Sequence, residues 1–121
     1  MQGLHLTADL HNCRCDPAWM LDAEKLGTWC LKAVEAAGLQ PANHLFDSFS
    51  NIDSGNGITV TVLLPGSHVC IHAWPAQKAA TLDVYVCGRH AAQTQSLMQA
   101  LADRFAPEWT EQRSLDRGDE S

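Results

Sequence analysis

The chain has 121 residues, 45% of them hydrophobic and 18% charged, with a formal net charge of −6. That predicts one folded domain, residues 1–121, with enough apolar content for a core without disulfide or metal staples. The acidic balance excludes nucleic acid as the main partner, and no stretch has the length of a membrane span or the pattern of a secretory leader, so a cytoplasmic protein with five reduced cysteines is expected.

Residues 4–10 predict a first strand, short and partly alternating. "CDP" then predicts a helix start, with Asp16 as N-cap and Pro17 at the first helical position. Leu26, Trp29, Cys30, Ala33 and Ala37 follow at helical spacing, and Gly38 ends the helix. Residues 43–49 predict a second strand. The polar turn "NIDSGNG", 51–57, leads into a β-branched strand over 58–64. Pro65-Gly66 interrupts it. Residues 69–74 predict the next strand, which Pro75 stops, and 80–88 another. Ala92, Leu97, Leu101 and Phe105 predict a second helix over 91–105. A weak last strand is expected near 109–115, with the tail from about residue 110 solvated or frayed. The order β-α-β-β-β-β-α-(β) predicts an α+β two-layer sandwich: a mainly antiparallel sheet with two helices on one face.

The stretch "PGSHVCIHAWPAQ", 65–77, is dense in reactive side chains. His68, Cys70 and His72 share one strand face, but the outer pair lies about 13 Å apart on a straight strand, too far to share one small ion. No metal is expected. A conventional serine hydrolase gathers its triad from separate segments around a nucleophile elbow, and no G-x-S-x-G is present. On a straight strand Ser67 and His72 face opposite sides, although Pro65-Gly66 permits a kink. A third chemistry uses the serine after a flexible residue. Its hydroxyl attacks the preceding carbonyl, the peptide becomes an ester, and loss of the α-proton splits the chain. A pyruvoyl group is left that forms a Schiff base with a substrate amine. This needs a histidine as base and a proton donor such as cysteine.

"SHVCIHAWP", 67–75, followed by "DVYVCG", 83–88, resembles the bacterial S-adenosylmethionine decarboxylase proenzymes, whose pattern is E-S-H-x-[ST]-I-H-T-W-P-E and then a strand ending in T-C-G. "GLHLTADLHNC" and "LFDSF" resemble the family's first two strands, so the likeness covers residues 3–105. It implies cleavage between Gly66 and Ser67, a pyruvoyl group generated from Ser67, His72 as the base of processing and Cys87 as proton donor in decarboxylation. It also implies Phe49 stacking on adenine, Thr59 as the second processing hydroxyl, a cationic small-molecule substrate and a homodimer of processed protomers. Asp9 is read beside these as either a pocket carboxylate for the substrate cation or a solvated strand acid. His68 is read as structural, and Cys70 and Trp74 as packing.

Two departures stand out. Gly66 replaces the family's usual Glu, which eases the backbone at the junction. Ala76 replaces the Glu that holds the ribose hydroxyls, a loss of about 1.5–3 kcal/mol. A substrate without ribose would not miss it, so pyruvoyl-dependent ornithine or arginine decarboxylation is the alternative activity. An inactive relative that serves as a binding or regulatory subunit is the non-enzymatic alternative.

Overall fold

Alternation along β1, Gln2–Cys13, sets the layout. Leu6, Ala8 and Leu10 are buried on one side, while His5, Thr7, Asp9 and His11 point to the other. The structure, a computed structural model, describes residues 1–118. After β1 come α1 (Ala18–Leu21), α2 (Ala23–Ala36), β2 (Asn43–Asn51), β3 (Gly55–Leu64) and β4 (Ser67–Trp74). A single 3₁₀ turn, Pro75–Gln77, precedes β5 (Ala79–Cys87), α3 (Ala91–Arg104) and β6 (Pro107–Gly118). The six strands form one antiparallel sheet in the order β2-β3-β4-β5-β1-β6.

The helices cover one face. Leu26, Cys30 and Val34 of α2 and Leu97, Leu101 and Phe105 at α3 are buried against Val60, Val69, Ile71 and Val84 of the sheet. Each large side chain so buried contributes about 1.5–3 kcal/mol relative to exposure. Among the described residues, the opposite face of the sheet carries no helix. Its residues are the alternate ones of each strand, and they hold nearly all the chemistry described below.

Three details differ from the sequence reading. The first helix is two. Asp16 Oδ1 accepts from Ala18 N at 2.9 Å and starts a single turn, then Asp22 turns extended and its side chain accepts from Lys25 N to start α2. Ala92 is exposed; Thr94 and Met98 fill the buried face of α3 instead. The expected frayed tail is, over residues 107–118, a full edge strand paired with β1 from Gln2↔Gly118 to Cys13↔Pro107. The weak strand expected near 109–115 lies within it; its side chains are mostly exposed, and backbone hydrogen bonds to β1 extend it to the full 107–118. Residues 119–121 lie outside the described part.

Candidate active site

Ser67 opens β4 directly after a turn. Gly66 there has φ +65°, a conformation that glycine adopts without the penalty other residues meet. Ser67 Oγ donates to Pro65 O at 3.2 Å and accepts from Cys87 N at 2.9 Å. Cys87 ends β5, and a Cβ placed on Gly66 would lie 3.9 Å from its Sγ. Gly66, Ser67 and Cys87 are thus one cluster at one end of the β4–β5 pair.

His72 lies five residues further along β4, about 16 Å away at strand rise. The register pairs it with Thr59, and Thr59 Oγ1 is 2.9 Å from His72 Nδ1. Cys70 Sγ is 3.5 Å from His72 Nε2, with Thr61 Oγ1 3.6 Å from the same sulfur. The His72 and Trp74 ring centroids are 6.0 Å apart, and Phe49 meets Trp74 edge-on at 6.1 Å. Phe49 can lie there because its neighbour is Gly57, where a side chain would run into its ring. A cavity of about 370 Å³ adjoins Phe49 and includes Ser50, Asn56 and Pro75. Trp74 Nε1 is buried without a hydrogen-bond partner among the described residues.

The predicted site residues therefore fall into two clusters within one chain: Ser67, Gly66 and Cys87 in one, and His72, Thr59 and Phe49 in the other. Asp9 belongs to neither. It lies on the open face in a cavity of about 360 Å³ that also touches His68, Cys70, His72 and Asp83. Arg113 lies 3.9 Å from its carboxylate and 3.7 Å from that of Glu111, the residue opposite Asp9 on β6. Ala76 sits in the 3₁₀ turn, and the adjacent Gln77 donates to Ser54 O at 2.8 Å, tying that turn to the 51–55 loop.

His5 and Asp83 were not singled out from sequence. Asp83 Oδ1 lies 2.8 Å from both His5 Nε2 and His68 Nε2. Partial burial pushes the Asp83 carboxyl up, but hydrogen bonds from His68 and His5 outweigh it, and the net shift is downward. His68, Cys70 and His72 do share one face, as their spacing predicted, yet they divide between partners: His68 turns to Asp83, Cys70 to His72. Among the cysteines, burial pushes the Cys13 thiol up to about 11, with the neighbouring Cys15 adding to it, and the Cys30 thiol up to about 12. Both are sealed in the core and unsuited to nucleophilic work. Cys70 and Cys87 are the two thiols on the open face.

Residues 4–118 match the family model described as S-adenosylmethionine decarboxylase. The chain belongs to this family. An S-adenosylmethionine decarboxylase proenzyme of Hydrogenobaculum is 32% identical over 117 residues, covering 96% of this chain and 81% of that protein. An arginine decarboxylase proenzyme of Caldivirga maquilingensis is 40% identical over a shorter stretch of 70 residues, 58% of this chain and 52% of that one. The crystal structure of the adenosylmethionine decarboxylase from Aquifex aeolicus superposes with a TM-score of 0.82 at 28% identity, covering 98% of this chain and 92% of that one. The α+β sandwich expected from sequence and the decarboxylase family expected from the motif are both supported by these matches. No helix among the described residues is long and apolar enough to cross a membrane.

Proposed function

We propose that the chain is a pyruvoyl-dependent decarboxylase of polyamine biosynthesis, cytoplasmic, self-processed between Gly66 and Ser67, and acting on S-adenosylmethionine. The observation that carries this reading is the Ser67 hydroxyl, held by Cys87 N beside a glycine in the left-handed region. Ser67 Oγ attacks the Gly66 carbonyl carbon, and the Gly66–Ser67 C–N bond breaks to give an ester. A base then removes the Ser67 α-proton, and the Cβ–Oγ bond breaks, leaving Gly66 as a carboxylate. The residual enamine tautomerises and takes up water, releasing ammonia. The pyruvoyl group so formed supplies an electrophilic ketone that takes up a substrate amine and accepts the electron pair freed with carbon dioxide. Cys87, next to that position, returns a proton to the substrate carbon.

His72 is the base, oriented by Thr59, but it does not reach Ser67 of its own chain across about 16 Å of strand. A homodimer resolves this. Two sheets packed open face to open face, with strands reversed by a two-fold axis, set Cys87 and the end of β4 that carries Ser67 in one copy opposite His72, Thr59 and Phe49 of the other. Leu45, Leu63, Trp109 and Leu115 support such packing: the register puts them on the open face, and they are 46–63% exposed.

Phe49 beside the 370 Å³ cavity supports a stacked nucleoside. Ala76 favours the second reading, an arginine or ornithine decarboxylase, and the Caldivirga relative is named for arginine. The test is intact mass spectrometry, with carbon dioxide release from S-adenosylmethionine, ornithine and arginine offered separately. Two associated fragments divided at Gly66–Ser67, absent in Ser67→Ala, support the reading. A chain that stays whole after prolonged incubation overturns it.

A further inference from the structure

His5, His68 and Asp83 bring three ligand-type atoms within 4.8 Å of one another on three adjacent strands. Two imidazoles and a carboxylate are a donor set that first-row metals accept. Arg117 decides otherwise. Its Nη1 is 3.2 Å from His5 Nδ1, and a guanidinium only donates. His5 Nδ1 is therefore the acceptor, and the neutral ring carries its proton on Nε2, the nitrogen that faces Asp83. A protonated Nε2 donates a hydrogen bond and has no lone pair for an ion. The cluster is a hydrogen-bonded chain: Arg117 to His5, His5 to Asp83, and His68 to Asp83.

Its position suggests what the chain does. His68 directly follows Ser67, so after processing its backbone nitrogen carries the pyruvoyl group. Before cleavage, the start of β4 is held by the covalent link to Gly66, by backbone pairing of Ser67 with Leu64 and of His68 with Leu63 and Tyr85, and by the bond from Cys87 N to Ser67 Oγ. Cleavage breaks the first. Conversion of Ser67 removes its Oγ and so the third. A newly made chain end frays unless it is tied down. The His68–Asp83 bond then becomes the side-chain tether nearest the reactive ketone. Edge-on contact of the His5 and His68 rings, 6.0 Å apart, and the Tyr85 ring 6.0 Å from His68 pack around it.

We infer that Asp83 is a positioning residue for decarboxylation: through His68 it fixes the processed end of β4 against β5, while His5 and Arg117 hold its carboxylate from the other side. This rests on the self-processing reading above. It predicts that the tether matters more to turnover than to cleavage, because the covalent link still holds the junction while cleavage proceeds.

The test compares wild type, Asp83→Ala and Asp83→Asn by intact mass, thermal melting and steady-state kinetics on whichever of S-adenosylmethionine, ornithine or arginine the wild type uses. Asp83→Ala is expected to split, with KM within about threefold and kcat lowered by about ten- to a hundredfold. Asp83→Asn keeps an oxygen that accepts from both imidazoles, so it is expected to retain kcat within about threefold of wild type. Wild-type kcat in the alanine variant overturns the inference. So do equal losses of kcat in both variants, which mark a merely structural or charge role. Isothermal titration with Zn²⁺ alone adds a third arm: tight one-to-one binding that Asp83→Ala abolishes overturns the hydrogen-bonded chain in favour of a metal site. A wild-type chain that never splits overturns the functional reading and this inference together, so the two failures are distinguishable.

Discussion

Cys87 N donates to Ser67 Oγ at 2.9 Å, so the hydroxyl and the cysteine sit on the ends of adjacent strands. The bond uses the Cys87 backbone, which leaves its thiol free for other work. Cys87→Ala is therefore expected to cleave normally, because the backbone donor remains. It should lose about 10²–10⁴-fold in turnover with the proton donor gone. Mass spectrometry and carbon dioxide release on one preparation separate the two effects, and full turnover in the variant removes Cys87 from the mechanism.

The proposed sharing of sites between two copies makes a sharper demand. Ser67→Ala and His72→Ala are each expected to remain uncleaved when expressed alone. Co-expressed, they form mixed dimers in which intact Ser67 faces intact His72, and about a quarter of all sites are complete by random pairing. Fragments should then appear, and only from the His72→Ala chain. Their absence from a verified mixed dimer argues that each site is built within one copy.

Thr59 orients the His72 ring through Nδ1. Thr59→Val removes that bond at nearly constant shape, a loss of about 0.5–1.5 kcal/mol, or roughly two- to twelvefold slower cleavage. Thr59→Ser keeps the hydroxyl and should cleave at close to the wild-type rate. A time course of fragment appearance gives both rates. Equal rates in the valine and serine variants would show that the bond is idle.

Ala76→Glu addresses substrate. If S-adenosylmethionine is the substrate, a carboxylate after Trp74-Pro75 supplies a partner for the ribose hydroxyls and tightens binding by up to about a hundredfold. If arginine or ornithine is the substrate, no gain is expected. Parallel kinetics on the two proteins decide, and wild-type decarboxylation of a basic amino acid with no action on S-adenosylmethionine establishes the second reading.

The depressed Asp83 carboxyl has a signature in stability. Its folded value lies below the unfolded value of about 3.9, so the ionised form is favoured by folding. That contribution is fully present above the unfolded value and is lost as pH falls through the folded one. Asp83→Asn should flatten the acid limb of a plot of urea midpoint against pH. An acid limb of unaltered slope in the variant would contradict the assignment.

Much of this molecule is written locally. Alternation in "ITVTVLL" and "ATLDVYVCG", the helical spacing of Leu26 and Cys30, and the breaks at Pro65-Gly66 and Pro75 depend on near neighbours, so the strands and helices fell close to where the sequence predicts them. The short motif around Ser67, with Cys87 downstream, was legible because self-processing demands particular residue types at fixed spacing. What residues 58–74 did not reveal was which groups are neighbours across the sheet. Ser67 and His72 read as one catalytic group, yet an extended strand holds them about 16 Å apart. Only pairing registers show that Ser67 belongs with Cys87 and His72 with Thr59. His5 and Asp83 were invisible for the same reason. They are 78 residues apart in sequence and meet because β1 and β5 are neighbours in the sheet. Strand β6 was legible only in part, as a weak strand near 109–115; its full length of 107–118 comes from backbone bonds to β1 and not from a buried apolar face. Side-chain pattern records what faces water and what does not; which strands lie side by side, and in what register, is decided by how the whole sheet closes over its core.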